Sequence, residues 1–225
     1  MIPPPSDAVA APPGDGSARA VVLGRIRSAL AAAGGPPPAA PPPLPGRVGD
    51  GQPLAERFVA RVTEYRATVH RVPAGGVGPV VAELCRQRGA RRLGIPPDLP
   101  AAWRPTGPAL VEDDGLAVPL LDGLDGALTG CAVAIAETGT VVLDGGAGQG
   151  RRALSLVPDW HCCVVVEAQL VAGVPDAVAA LATAARAGRP LTWISGPSAT
   201  SDIELSRVEG VHGPRTLDIV LVAAP

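Results

Sequence analysis

Between residues 161 and 195 the sequence reads, with short connections, HCCVVVEAQL (161–170), PDAVAALATAARAG (175–188) and LTWIS (191–195), and this stretch decides the fold. The first and last segments are apolar runs typical of buried strands, while the middle segment starts with a proline and predicts a helix. Strands separated by a helical crossover are typical of a parallel sheet. We therefore predict a layered α/β fold with a largely parallel sheet and flanking helices.

The same alternation continues on both sides of this stretch. Residues 54–72 predict a helix that runs into a strand near Val69, and residues 77–88 predict a helix that ends at Gly89. DGLDGALTG (122–130) is interpreted as a helical or loop crossover. The other predicted strands are RRLGIP, ALVED, CAVAIAET, TVVLDGG and TLDIVLVAA. Since TVVLDGG directly follows CAVAIAET, those two strands can form a local antiparallel hairpin.

The chain divides by composition into four parts. Residues 1–16 are rich in proline and small residues and are predicted to be disordered. Residues 17–34 predict an amphipathic helix, with Val22, Ile26 and Leu30 at helical spacing, and residues 35–53 predict a proline-rich linker. Residues 54–225 form the predicted α/β domain.

Composition excludes several classes of function. The net charge of −2 and the scarcity of aromatic residues argue against a nucleic-acid partner. All 19 basic residues are arginine, which excludes a lysine Schiff base. Neither a transmembrane segment nor a signal peptide is predicted, so we expect a cytoplasmic protein. The four cysteines include no C-x-x-C pair, and we predict neither a metal site nor a cofactor in this chain.

A first candidate loop, SGPSATSDIE (195–204), follows the predicted strand LTWIS. In α/β sheets ligands gather where parallel strands end, and we expect the candidate loops at that edge. Hydroxyl groups and a flexible glycine can form a cradle for a small anion or a carbonyl group. An ordinary turn whose polar side chains satisfy the backbone is the simpler interpretation of this pattern alone. The ligand-binding candidates are Ser195, Gly196, Ser198, Thr200 and Asp202.

Two further loops carry candidate residues. In AETGT (136–140), Glu137 is a candidate general base or nucleophile if it is buried at a sheet end, or else it is only solvated. In GVHGPR (210–215), His212 is a candidate acid or base and Arg215 a partner for a carboxylate, although a surface turn is the simpler interpretation. Thr138, Gly139 and Gly213 are added as ligand-binding candidates.

Two other patterns are weaker. Asp159 and His161 are two residues apart, which is too little for a metal site without a third ligand, and we assign them a structural role. DGGAGQGRR (144–152) has Gly-x-Gly spacing but no following helix or suitably placed acidic residue, so it is a poor dinucleotide fingerprint.

Four motifs in succession resemble the lactate-utilisation protein C (LutC) family, which carries the LUD domain. They are AETGTVVLD, RRALSLVPDWHCCVVV, ISGPSATSDIE and GVHGPRTLDIVLV. The resemblance is strong over roughly the last hundred residues and looser before them.

The resemblance implies a fold similar to the NagB/RpiA/CoA-transferase-like superfamily. It also implies a part in the oxidation of L-lactate to pyruvate, as a non-redox subunit or accessory beside LutA-like and LutB-like partners, one of which carries iron–sulfur clusters. The alternative is an independent CoA-transferase-like or small-molecule-binding enzyme acting on an acyl or anionic substrate. In CoA transferases of that superfamily a glutamate is the nucleophile, so AETG suggests Glu137 for that role.

Overall fold

The computed structural model describes residues 17–32, 51–200, 208–209 and 212–223, with only the backbone of 199–200 and 208–209. The chain forms two units, residues 1–48 and 49–225. In the first unit, helix α1 spans Ala18–Ala32, and the Ser17 hydroxyl accepts a hydrogen bond from the Ala20 N–H at its start. The stretches 1–16 and 35–50, predicted as disordered and linker, lie outside the described residues.

The second unit holds the larger sheet. Within the described residues its strands are all parallel, in the order β1-β12-β7-β4-β2-β3. Their bounds are β1 Thr68–Val72, β2 Arg92–Ile95, β3 Ala109–Glu112, β4 Gly126–Gly130, β7 Trp160–Val166 and β12 Thr216–Val222. Because both faces are covered, β4, β7 and β12 are almost entirely buried. The predicted parallel sheet is confirmed.

A smaller sheet packs against one face of the larger one. Its order is β8-β5-β6-β9, with β5 Val133–Ile135, β6 Thr140–Leu143, β8 Leu170–Val171 and β9 Thr192–Ile194. Strands β5 and β6 form the antiparallel hairpin that the sequence allowed, and β9 is antiparallel to β6. Beyond β9, β10 (Ala199–Thr200) pairs antiparallel with β11 (Val208–Glu209).

The helices of the second unit are α2 Leu54–Glu64, α3 Val77–Arg88, α4 Val118–Asp122, α5 Arg152–Leu156 and α6 Val174–Arg186. Helix α2 places Phe58 and Val62 in an apolar core with the inner face of the smaller sheet and one face of β7 and β12. Helix α3 covers the opposite face of the larger sheet, and α6 covers the outer face of the smaller sheet. None of the helices in the described residues is long and apolar enough to cross a membrane.

The structure corrects the interpretation of residues 122–130 as a crossover. Residues 126–130 form β4, a central strand between β7 and β2. A side chain at Gly126 would collide with the Trp160 ring on the neighbouring strand, so the small residue that suggested a loop is required by packing.

Residues 161–170 do not form one continuous strand either. Strand β7 ends at Val166, a 3-10 turn spans Glu167–Gln169, and the chain enters the smaller sheet as β8. The Gln169 side chain fixes this crossing, because its Oε1 accepts from the Val166 N–H at 2.9 Å and its Nε2 donates to the Cys131 carbonyl at 2.6 Å. The apolar run therefore serves two sheets.

Candidate functional site

A pocket of about 250 Å³ lies between the chain that follows β9 and the chain that precedes β12. Residues 195–198 and 212–214 line it from these two segments, and His161 and Leu217 line its buried part. His161 and Leu217 are paired second residues of the parallel strands β7 and β12. The pocket therefore lies at the amino edge of the larger sheet.

This position corrects the expectation that the loops lie at the carboxyl ends of parallel strands. Strand β9 belongs to the smaller sheet and is antiparallel to β6, so the rule for parallel sheets does not apply to the loop that follows it. The loop at residues 136–139 is likewise the turn of an antiparallel hairpin. The apolar patterns of buried strands were correct, but they carried no information on which sheet each strand joins.

Hydrogen bonds hold the two pocket segments together. The Ser198 N–H donates to the Pro214 carbonyl at 2.8 Å, and the Ser198 hydroxyl accepts from the His212 N–H at 3.1 Å. Gly196 has a φ of +86°, and a Cβ there would lie 2.7 Å from the Cβ of Tyr65, so a larger residue at this position would displace the segment. The predicted loops at 195–204 and 210–215 thus meet in one pocket through their described residues.

The loop at residues 136–140 reaches this pocket through hydroxyl groups. The Thr138 and Thr140 hydroxyl oxygens are 2.7 Å apart, and Thr140 is 2.7 Å from the hydroxyl of Ser195, which lines the pocket. Gly139 instead packs against helix α2, where a Cβ would lie 2.7 Å from the backbone of Arg61. Thr138 is thus connected to the pocket wall indirectly, and Gly139 is placed for close packing.

The structure places the other predicted residues differently. Glu137 is exposed rather than buried, its N–H donates to the Ala172 carbonyl at 3.1 Å, and it does not line the pocket. Arg215 does not line it either; its Nε donates to the Asp159 carboxylate at 2.7 Å in an exposed ion pair. Thr200 lies in β10, where only its backbone is described, and Asp202 lies outside the described residues.

His161 is the pocket residue whose role the sequence did not reveal. Its imidazole is 1% exposed, and Nε2 is 2.8 Å from the Thr129 hydroxyl oxygen on β4. Nδ1 is buried and has no hydrogen-bond partner in the described part of the chain. Burial lowers the pKa of His161 to about 4, so the ring is neutral near neutral pH. A polar residue at the start of a long apolar strand was the available sequence signal.

Known proteins with a similar sequence were identified. The profile of the LUD domain matches residues 120–222. A lactate utilization protein C from Deinococcus radiodurans is 49% identical over 170 residues, covering 75% of this chain and 79% of the relative. The chain belongs to the LUD-domain family of LutC proteins.

Other members of the LutC family are more distant. A lactate utilization protein C from an Exiguobacterium species is 32% identical over 146 residues, covering 61% of this chain and 63% of the relative. The crystal structure of a DUF162 family protein from Deinococcus radiodurans superposes with a TM-score of 0.66 at 44% identity, covering 75% of this chain and 96% of that one. The α/β architecture is therefore that of a solved family structure.

The thiol groups of this LutC-family chain do not resemble a metal-binding set. Burial raises the pKa of Cys85 to about 11 and raises the pKa of Cys162 well above its ordinary value. Hydrogen bonding to Cys163, together with burial, raises the pKa of Cys131. These three thiols are therefore protonated near neutral pH in the metal-free chain. No group of three or more His, Cys, Asp or Glu residues that could hold a metal ion occurs in the described ranges.

The glycine-rich segment 144–150 is a turn built around Asp144. One carboxylate oxygen of Asp144 accepts from the Gly146 N–H at 2.9 Å, and the other accepts from Arg189 at 2.7 Å. The Asp144 N–H donates to the side chain of Gln149 at 2.7 Å. These contacts use the Asp144 carboxylate, the Arg189 side chain and the Gln149 amide to hold the turn in place.

Proposed function

We propose that this chain is a component of a lactate utilisation system and takes part in the oxidation of L-lactate to pyruvate as a non-redox subunit or accessory. The observation that carries the proposal is the 49% identity over 170 residues to the lactate utilization protein C of Deinococcus radiodurans. The matched region spans 75% of this chain, so it includes most of the unit that contains the pocket.

Oxidation of L-lactate to pyruvate releases two electrons and two protons, which a redox centre must accept. We assign that centre to partner proteins of the LutA-like and LutB-like kind, one of them carrying iron–sulfur clusters. The positions of the thiols support the assignment, since a cluster needs several close ligands and no group of three or more His, Cys, Asp or Glu residues that could hold a metal occurs among the described residues.

Complementation tests this proposal. In Deinococcus radiodurans, deletion of the gene for the 49% identical relative should abolish growth on L-lactate and leave growth on glucose unchanged. Expression of this chain should restore growth on lactate, and the relative's own gene serves as the positive control. A tagged copy purified from those cells should carry iron–sulfur proteins. Failure to restore growth, with the chain present and folded, would refute the proposal.

A second candidate is an independent CoA-transferase-like or small-molecule-binding enzyme that acts on an acyl or anionic substrate. The observation in its favour is that residues 195–198 and 212–214 converge on one pocket. The position of Glu137 weakens the transferase form, because an exposed glutamate outside the pocket lining is poorly placed as its nucleophile. Thermal unfolding with acyl-CoAs, nucleotides and folates tests it, since a ligand at a hundredfold its Kd stabilises by about 2.7 kcal/mol.

A further inference from the structure

We propose that His161 is a ligand-binding residue and that its Nδ1 forms a hydrogen bond with an uncharged carbonyl or hydroxyl group of a small molecule in the pocket. This inference deepens the small-molecule-binding candidate above by naming its contact residue and the class of group it recognises. It does not depend on the role as a lactate utilisation subunit.

The starting observation is that the imidazole of His161 is only half satisfied. Nε2 is bonded to the Thr129 hydroxyl, whereas Nδ1 is buried and has no partner among the described residues, and His161 is one of the residues that line the pocket. Leaving a buried polar atom unpaired costs about 1–3 kcal/mol, and native proteins retain few such atoms. A bound molecule in the pocket would supply the missing hydrogen bond and remove this cost.

The direction of the hydrogen bond between Thr129 and Nε2 determines which kind of group can form a hydrogen bond with Nδ1. If the Thr129 hydroxyl donates to Nε2, the proton of the neutral ring is on Nδ1, which then donates to a carbonyl or hydroxyl oxygen. If Nε2 donates to Thr129, Nδ1 accepts from a hydroxyl group. A hydroxyl group can form a hydrogen bond with either tautomer, whereas a carbonyl group can do so only with the tautomer that carries its proton on Nδ1. Thr129 is therefore a positioning residue for His161.

The lining of the pocket favours an uncharged group. Among its described residues the ionisable side chains are His161 and His212, with no Arg, Lys, Asp or Glu, and Arg215 is engaged with Asp159. The low pKa of His161 keeps that ring neutral as well, so it offers hydrogen bonding without a full positive charge. The remaining lining includes apolar side chains that can cover the body of a small molecule, namely Leu156, Trp193, Ile194, Pro197, Pro214 and Leu217.

The test uses histidine labelled with ¹⁵N, because the chain has 3 histidines and each imidazole can be followed separately. The probes are two neutral amides, L-lactamide and pyruvamide, and the matching anions, L-lactate and pyruvate. Each is added to the full-length protein at neutral pH, up to about 10 mM, where a millimolar Kd gives near saturation. We expect a saturable shift of the His161 Nδ1 resonance with at least one amide, larger than with its anion, and no shift at His70.

The possible outcomes decide between the alternatives. Absence of a His161 shift with all the probes would overturn the inference. A shift with the anions but not with the amides would overturn the uncharged class. Complementation of growth on lactate is a separate measurement, so its failure and failure of this titration can be told apart.

Two substitutions separate ligand contact from structural support. His161→Asn keeps a polar atom near the position of Nδ1, while His161→Gln places its amide near Nε2 and keeps a partner for Thr129. We expect amide binding to weaken about tenfold or more in the Gln variant, which corresponds to one lost hydrogen bond, and less in the Asn variant. Equal binding by both variants and the unaltered protein would contradict the assignment.

A third substitution protects the test if these variants do not fold. Thr129→Val keeps the imidazole but removes its fixed partner, and we expect the ¹⁵N shifts of His161 to report an altered tautomer balance together with weaker amide binding. An unchanged tautomer balance and unchanged amide binding in Thr129→Val would contradict the positioning role.

Discussion

Strands β7 and β12 carry a buried polar group on each face of the sheet, and the two groups differ in how completely they are bonded. On the face toward α3, Asp218 receives hydrogen bonds from His70 at 3.0 Å, Arg88 at 2.6 Å and Trp160 at 2.7 Å. On the opposite face, His161 has one bonded nitrogen and one that is unpaired within the described ranges. A fully bonded charge is typical of a structural element, whereas the unpaired atom beside the pocket is the basis of the ligand contact proposed above.

The largest effect on stability is expected from Asp218, whose carboxylate is fully hydrogen-bonded. Asp218→Ala leaves Arg88 and the Trp160 N–H without their acceptor, so we expect a loss of about 3–5 kcal/mol in the free energy of unfolding. Urea denaturation measures it. Asp218→Asn, which keeps the shape and one acceptor oxygen, should lose less. A loss below about 1 kcal/mol for the alanine variant would show that this cluster is not structural.

The second effect concerns how the stability of the chain depends on pH through His161, on the other face of the sheet. The pKa of His161 is about 4 in the folded chain against an ordinary 6.5, because burial disfavours the charged ring. As the pH falls, the unfolded chain therefore binds this proton before the folded chain does. The contribution of the neutral ring to the free energy of unfolding is complete above about pH 6.5 and is lost as the pH falls toward about 4. At about 1.36 kcal/mol per pKa unit, the difference between the folded and unfolded pKa values of His161 lowers the free energy of unfolding by about 3 kcal/mol at acidic pH.

The measurement compares unfolding free energies of the unaltered chain and His161→Asn across this pH range. Other titrating groups are common to both proteins, so the difference in slope isolates His161. We expect the unaltered chain to lose more stability on acidification than the variant. Parallel curves would mean that His161 is protonated in the folded chain near its ordinary pKa, and that it is more hydrated than its burial indicates.

The sequence predicted which residues form strands better than it predicted which strands pair with each other. Apolar runs such as residues 216–222 identify buried strands by themselves, and the parallel sheet followed from the helices between them. Strand β4 was missed because its small residues, Gly126 above all, resemble a loop and become a strand only against the Trp160 ring. Which sheet β9 joins depends on pairing with β6, and no local pattern encodes that pairing.

The candidate site shows the same division. Hydroxyl-rich and His-containing loops could be selected from residue types, and two of them meet in one pocket. Glu137 was chosen because it follows an apolar strand and Arg215 because it lies near His212, but their positions follow from the hairpin turn and from the partner Asp159. His161 was assigned a structural role, since residue type does not show which imidazole nitrogen lacks a partner.

The third effect tests how strongly His161 is held. Thr129→Val removes the neutral hydrogen bond to Nε2 in a fully buried environment while keeping the side-chain volume. We expect a loss of about 1 kcal/mol, smaller than for Asp218→Ala because no charge is left unpaired. Urea denaturation of both variants in one buffer measures this ratio. Equal losses would remove the distinction between the two faces.

The smallest effect is expected at Asp159, whose carboxylate pairs with Arg215 in contact with solvent. The side chains are 57% and 60% exposed, so water already screens the charges and the ion pair adds little to stability. We expect Asp159→Asn to change the free energy of unfolding by no more than about 1 kcal/mol. A loss well above about 1 kcal/mol would contradict this expectation and would show that the pair is less hydrated than its exposure indicates.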